Sequence, residues 1–184
     1  MIGLVGFAPD LPPETAWIFT DCTNVLPSLT SFIGAPAPID AGLGAISAIC
    51  TGFAVTRKSD NTARVFSGNA AKLYEQIAGV WSDVSKVGGY AAGPDERWRF
   101  AQYGDVTIAA CKTETLQAIT SGSFANVSAS APKAAIIETI NNQAFAFNIN
   151  GMGFGDQTNR WACSAIGNYT DWTPSEATQC TSGK

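Results

Sequence analysis

The chain has 184 residues, 46% of them hydrophobic and only 14% charged, and it contains no histidine. This composition excludes a disordered chain, and the length can bury a sizeable core in one domain or two small ones. The net charge of −4 and the scattered basic residues exclude nucleic-acid binding through clustered cations, while the lack of histidine excludes nucleophile systems that need imidazole.

Residues 1–44 predict an extended, irregular N-terminal arm. The segments "APDLPPET" and "GAPAPIDAGLG" are rich in proline and glycine and lack any strand or helix period. Between them, the apolar cluster Trp17, Ile18 and Phe19 favours an arm that docks on the rest of the chain or on a neighbouring subunit. The start lacks the basic region of a signal peptide, and no run reaches the roughly 18 apolar residues of a membrane span. We therefore expect synthesis in the cytoplasm.

Residues 45–184 predict many short β-strands separated by turns. The runs "ARVFSG", "VTIAACK" and "AAIIETINNQAFAFNIN" have strand composition, and the Asn-Asn pair suits a tight hairpin because asparagine tolerates positive φ. The stretch "GNAAKLYEQIAG" could pass for a helix, but strand is favoured. In "RWRFAQY", Trp98 and Phe100 alternate with Arg97 and Arg99, which predicts a half-buried strand and not a basic–aromatic strip for nucleic acid.

Two segments of the chain resemble each other at an offset of 43 residues. Residues 72–85 read "KLYEQIAGVWSDVS" and residues 115–128 read "TLQAITSGSFANVS", which aligns Trp81 with Phe124 without a gap. A weaker third copy, "AIGNYTDWTPSE", contains Trp172. A period of about 40 to 50 residues made of short strands is typical of propeller blades, whose faces are covered by neighbouring blades.

The sequence therefore predicts an all-β, β-propeller-like fold with about three to four small antiparallel blades in residues 45–184. This set is incomplete for a closed propeller, so a truncated chain, a blade completed by the arm and an open fan completed by another subunit stay open as alternatives. We expect large aromatic side chains to fill the space between blades. The candidates are Trp81, Trp98, Phe100, Phe124, Trp161 and Trp172.

A series of segments, in this order, resembles a known family. They are "TDCTNVLPS", "VFSGNAAKLYE", "VWSDVS", "ERWRFAQYGDVTIAAC", "FANVSASAPKA" and "RWACSAIGNYTDWTP". Together they resemble the propeller-containing tail proteins of short-tailed bacteriophages, of the nozzle, tail tubular and tail-accessory type. The family has no catalytic motif, so the resemblance implies a structural virion protein and no enzyme.

The resemblance also implies partners and a location. Such proteins form a ring, often of six copies, in the tail of the virion after synthesis in the host cytoplasm. The ring extends the conduit for genome ejection and attaches adaptor, fibre or plug proteins. DNA passes through it without sequence-specific binding. An alternative is a carbohydrate- or receptor-binding propeller, and a third hypothesis is a glycan hydrolase on the same scaffold.

The remaining motifs predict no cofactor and no metal site. The loop "GMGFGD" lacks the Lys-Ser/Thr of a phosphate loop, so we interpret Met152 and Phe154 as a subunit-contact loop. Aspartates at turns are expected to cap backbone amides. The five cysteines form no CxxC pair and predict buried free thiols in a reduced compartment. They are Cys22, Cys50, Cys111, Cys163 and Cys180.

Overall fold

A computed structural model describes residues 6–7, 12, 18–19, 23–27, 32–37, 42–153 and 155–184. The described residues contain sixteen β-strands and no helix, which confirms the all-β prediction. The chain forms two compact units, Met1–Ala41 and Gly42–Lys184.

The described residues of the first unit contain four strands of two or three residues each. Strands β1 (Gly6–Phe7) and β2 (Ile18–Phe19) pair in parallel, and β3 (Val25–Pro27) and β4 (Phe32–Gly34) pair antiparallel. The expected docking of the Trp17, Ile18 and Phe19 side chains lies outside the described residues.

The second unit consists of three consecutive four-stranded antiparallel meanders, in which each strand pairs with the next. The first meander contains β5 (Gly52–Arg57), β6 (Ala63–Gly68), β7 (Leu73–Ile77) and β8 (Val80–Asp83). The second contains β9 (Arg99–Tyr103), β10 (Val106–Cys111), β11 (Glu114–Ile119) and β12 (Ala125–Asn126). The third contains β13 (Lys133–Ile140), β14 (Gln143–Asn150), β15 (Asp156–Cys163) and β16 (Thr181–Gly183).

Local sequence explains the main strands and turns. The segment predicted to be strand and not helix forms β7. The Asn141–Asn142 hairpin between β13 and β14 has φ of 47° and 65°, as a tight turn with two left-handed residues requires. A single residue pair, Thr115 with Lys133, joins the second and third meanders into an eight-stranded sheet, and no described sheet closes on itself.

The meanders stack face to face. We call the face turned toward the next meander in the chain the front face, and the opposite one the back face. Phe66 and Leu73 on the front of the first meander pack with Ala109 and Ile119 on the back of the second. The front of the second meander packs against the back of the third through a second cluster. That cluster contains Ala101, Ile108, Ala110, Leu116, Val127, Ala134, Ile137, Ala144, Ala146, Ile149, Ala162 and Trp172.

Stacking buries both faces of the second meander. Along β10, Ile108 and Ala110 point to one cluster while Ala109 and Cys111 point to the other, and all four are fully buried. The first strands lie side by side, since β9 contacts both β5 and β13. In β9, Arg99 is exposed, but Ala101 on the same face is buried under the third meander. The prediction of a half-buried strand is therefore wrong for its second half, because period-2 patterning cannot reveal a covering sheet.

The 43-residue repeat corresponds to equivalent structure. In the first two meanders the repeat contains the third strand, β7 or β11, and the fourth strand, β8 or β12. The Val84 amide donates to the Leu73 carbonyl at 3.0 Å, and the Val127 amide donates to the Leu116 carbonyl at 2.8 Å. Gly79 and Gly122 both have left-handed φ, 85° and 75°. The sequence repeat is thus a repeat of backbone geometry.

Candidate functional site

Four of the six predicted inter-blade aromatics are buried or partly buried between meanders. Trp98, Phe100 and Phe124 belong to the cluster between the first and second meanders, and Trp172 to the cluster between the second and third. Trp81 and Trp161 are half-buried on faces that no other meander of the second unit covers.

Trp98 connects the first two meanders. Its indole Nε1 donates a 2.9 Å hydrogen bond to the Asn69 carbonyl, and its ring meets the Tyr90 ring edge-on at 4.8 Å. The ring fits because residue 68 is glycine: a Cβ there would lie 2.6 Å from Trp98 Cδ1. The bulky residue and the small one therefore form one packing unit, although they are distant in sequence.

Trp172 has the corresponding role between the second and third meanders. It is 1% exposed, and its Nε1 donates a 2.8 Å hydrogen bond to the Tyr169 carbonyl. The carboxylate of the preceding residue, Asp171, also stabilises this loop, because its Oδ1 accepts the Thr173 amide at 3.0 Å. The third copy of the repeat is therefore a loop between β15 and β16 that fills an interface.

The back face of the first meander is an apolar surface that is open in part. Residues 47–50 cover Ser67 and Tyr74 on this face, with Ser47 Oγ 2.7 Å from the Tyr74 hydroxyl, and leave the rest exposed. Strand pairing places Phe53 and Val55 on this face beside Val65, and Trp81 lies on its outer part. Phe53 is 60% exposed and Val55 is 59% exposed. Large β-branched and aromatic side chains on a strand are normally covered, so this face has the composition of an interface.

The front face of the third meander is a second open apolar surface. Pairing places Phe147 between Ile136 and Trp161, and Phe145 beside Glu138. The Phe145 ring stacks at 6.4 Å from both the Phe147 ring and the Trp161 ring. Three adjacent rings thus form a half-buried platform, which we call the aromatic platform.

Sequence reasoning found Trp81 and Trp161 but missed Phe53, Phe145 and Phe147. A signal was available in "QAFAFN", where alanines alternate with phenylalanines. Ala144 and Ala146 face the second meander and are fully buried, while the phenylalanines point the opposite way. Small side chains let two sheets approach closely, so the larger residues of a strand can lie on its open side.

A groove of about 440 Å³ lies where the first strands of the three meanders meet. Its lining includes Phe53, the exposed Arg97 and Arg99, and Glu138. The groove thus combines apolar rings with charges of both signs.

Several carboxylates bind backbone amides or cations of the fold. Asp83 accepts the Ser85 amide at 3.0 Å, and Asp105 accepts the Ser59 amide at 2.9 Å. With Asp171, these confirm the prediction of amide capping for three of the five turn aspartates, whereas Asp156 pairs with Lys112 Nζ at 2.8 Å. Burial alone would raise the pKa of Asp83, but hydrogen bonds from Lys72 and Ser85 outweigh it and lower the pKa below its usual value.

Glu114 is held in the same way. Its Oε2 accepts a 2.7 Å hydrogen bond from Lys86 Nζ, and its Oε1 accepts the Ala91 amide at 3.0 Å. Burial would raise the pKa of Glu114, yet these donors lower it overall. A carboxylate kept ionised and bonded in this way has a structural task and not that of a general acid.

The described thiols differ from one another. Cys111, Cys163 and Cys180 are buried and free, as predicted, but Cys50 is exposed and its Sγ contacts the Ser67 hydroxyl at 3.3 Å. The expectation of burial is wrong for Cys50, because its small and apolar neighbours lie on an open segment. Burial raises the pKa of Cys111, and it raises the pKa of Cys180 to about 11, so these two thiols stay protonated at neutral pH.

The glycine loop between β14 and β15 packs on its own chain. Met152 is half-buried and packs against the second cluster. Gly151, Gly153 and Gly155 all have positive φ, which explains the glycine content of the loop. Phe154 lies outside the described residues.

The described part of the chain contains no group of three or more cysteine and carboxylate side chains that could hold a metal ion. It also contains no helix with the length and hydrophobicity needed to cross a membrane. No known protein-family model matches the chain, and no curated protein matches it.

Proposed function

We propose that this chain is a structural protein of a short-tailed bacteriophage tail, and that its three meanders are propeller blades. One observation carries the proposal: three stacked meanders end in two open apolar faces. Exposed apolar surface of this kind is uncommon on a monomer and marks a place where other protein packs. A subunit built to assemble needs such faces, whereas a self-contained enzyme does not.

The residues that carry charge also favour a structural role. Arg64 and Glu75 form a buried bidentate ion pair, and Lys86 and Glu114 form a second pair that ties two meanders together. These groups hold the blades in register. In our proposal no side chain of this chain acts on a substrate.

The assembled protein would form a ring, of six copies in the family it resembles, that continues the genome-ejection conduit. Adaptor, fibre and plug proteins would bind its ends, and DNA would pass without sequence-specific contacts. The net charge of −4 per chain suits such a conduit, because like charge keeps DNA phosphates from adhering to the wall.

Immunogold labelling of particles produced from the genome that encodes this chain tests the proposal. An antibody against residues 42–184 is applied to purified particles, with an antibody against a head protein as the matched control. Gold at the tail, below the head, is the expected result. Particles that lack the chain, or label confined to host membranes or cytoplasm, would contradict a role in the tail.

A second candidate function is carbohydrate binding, which the aromatic platform favours. Stacked phenylalanine and tryptophan rings provide the flat apolar surface on which sugar rings pack. Quenching of Trp161 fluorescence by host surface polysaccharide, and its loss in Trp161→Ala, would support this function. Trp81→Ala is the matched control, because Trp81 is also half-buried but lies on the first meander.

A further inference from the structure

We infer that the two open faces are complementary and that a second copy of this chain covers them, so that two chains close one ring of six meanders. The front of the third meander of each copy packs on the back of the first meander of the other. The inference rests on the propeller proposed above, but not on a role in a phage.

The internal interfaces provide the template for this contact. Both of them join the front of one meander to the back of the next, and each buries a continuous apolar cluster. The two open faces are the one front and the one back that the chain leaves without a neighbouring meander. A contact between them would therefore repeat, between copies, what the chain does twice within itself.

The sequence repeat indicates which side chains would cover the half-buried Trp81. Trp81 is the counterpart of Phe124, and Phe124 is covered edge-on by Phe66 at 5.6 Å. Phe66 lies on the second strand of the preceding meander, on its front face. For Trp81, the equivalent covering residues are Phe145 and Phe147, which occupy the second strand of the third meander, again on the front face.

The charges at the two faces have opposite sign. Arg57 is an exposed residue at the end of β5 and lies on the back face with Val55. Glu138 is exposed on the front face of the third meander, between Ile136 and Ile140. Internal contacts align the ends of the first strands, β5, β9 and β13. Thr139 Oγ1 in β13 donates to the Gln102 carbonyl in β9 at 2.7 Å. Thr56 Oγ1 in β5 lies 3.4 Å from the Oγ1 of Thr107, which is the residue that pairs with Gln102. The same alignment between copies brings Arg57 within reach of Glu138.

The number of meanders limits each closed propeller to two copies. Closed propellers have about four to eight blades. One copy provides three and is too few, whereas three copies would provide nine and exceed this range. Two copies provide six, and a twofold axis then satisfies both open faces of both chains. A six-copy tail ring would contain three such pairs.

Light scattering on the complete chain during size-exclusion chromatography tests the inference. We expect a mass of twice 19.2 kDa. Val55→Glu and Ile136→Glu place a charge on the back and front faces respectively, and each should raise the dimer dissociation constant about 100-fold. Val87→Glu is the matched control, because Val87 is fully exposed in the turn that follows β8 and belongs to no strand, and it should leave the constant unchanged.

A mixture distinguishes front-to-back pairing from every other mode. Val55→Glu keeps an intact front face and Ile136→Glu keeps an intact back face, so each variant alone should be monomeric while the two together form a heterodimer. If either variant alone dimerised with the wild-type dissociation constant, the contact would be front-to-front or back-to-back, and the inference would be overturned. Near-UV circular dichroism of each variant verifies that its fold is retained.

A monomeric wild-type chain at high micromolar concentration would also overturn the inference. The failures of the two proposals differ. If the purified chain is a dimer but the particles carry no label at the tail, the phage role is refuted and the pairing stands. If the purified chain is a monomer but the tails are labelled, only the pairing is refuted.

Discussion

At the scale of single residues, the stack depends on pairs of one large and one small side chain. Trp98 lies against Gly52 and Gly68, and Trp161 lies against Gly183, where a Cβ would be 2.8 Å from the indole Nε1. Glycine at 68 and 183 makes room for an indole ring, and glycine at 52 makes room for the backbone and Cβ of Trp98. A sequence identifies tryptophans easily, but it does not tell which distant glycine accepts each one.

Gly68→Ala tests this pairing. The added methyl would lie 2.6 Å from Trp98 Cδ1 and 2.8 Å from Leu73 Cδ2, in a region that is already filled. We expect the free energy of unfolding to fall by about 1–3 kcal/mol, measured by urea denaturation. Gly34→Ala is the control, because a Cβ at Gly34 meets no atom within 4 Å. Equal stabilities for Gly68→Ala and the wild type would refute the packing argument.

Glu114 makes stability depend on pH. Its folded-state pKa lies below the ordinary 4.5, so its contribution is present above pH 4.5 and is lost as the pH falls through the folded-state pKa. Glu114→Gln should cost about 1–2 kcal/mol at neutral pH, and this difference from the wild type should shrink in acid.

Urea unfolding at a series of pH values measures the effect of Glu114→Gln. Glu176→Gln is the matched control, since Glu176 is exposed, and its difference from the wild type should stay small throughout. A Glu114→Gln cost that is constant from neutral to acid pH would contradict the assignment.

At the scale of elements, the meander is the unit that repeats, and polar pairs join its strands to one another and to the next meander. Arg64 donates to Glu75 at 2.6 and 2.7 Å, and its Nη1 reaches the Thr120 carbonyl at 3.2 Å at the end of β11. This buried pair therefore joins β6 to β7 and the first meander to the second.

Glu75→Ala should be strongly destabilising because it leaves a guanidinium buried without its partner. We expect a loss of about 3–5 kcal/mol in the free energy of unfolding, measured in urea. The double change Arg64→Met with Glu75→Leu fills the site with apolar groups and should cost less than Glu75→Ala alone. If the double variant were the less stable of the two, the pair would contribute through its charge and not through avoided desolvation.

Much of the strand pattern could be predicted from the sequence, because local rules determine it. Strand β6 was predicted with its observed bounds, and the Asn141–Asn142 hairpin follows from backbone preferences. The 43-residue repeat was detectable because Leu73 and Leu116 hold the same buried position. The open faces could not be predicted, because the exposure of Phe53 and Trp81 depends on the order in which the sheets stack. Strand periodicity contains no information about that order.

At the scale of the second unit, the three meanders behave as a stack whose middle member is covered twice and whose outer members are covered once. The free energy of such an array contains one term for each interface between neighbours. The chain forms two interfaces between its own meanders. Its two open faces are the two halves of a third interface that a single chain leaves unformed. An added copy supplies the missing interface twice, which explains why assembly would stabilise the fold as well as extend it.

A single-particle reconstruction of the assembled protein tests the central claim most directly. Our account predicts four-stranded meanders arranged around an axis, with Phe53 and Trp81 of one copy against Phe147 and Trp161 of another. A reconstruction that leaves both faces in solvent, or that covers them with residues 1–41 of the same chain, would contradict it.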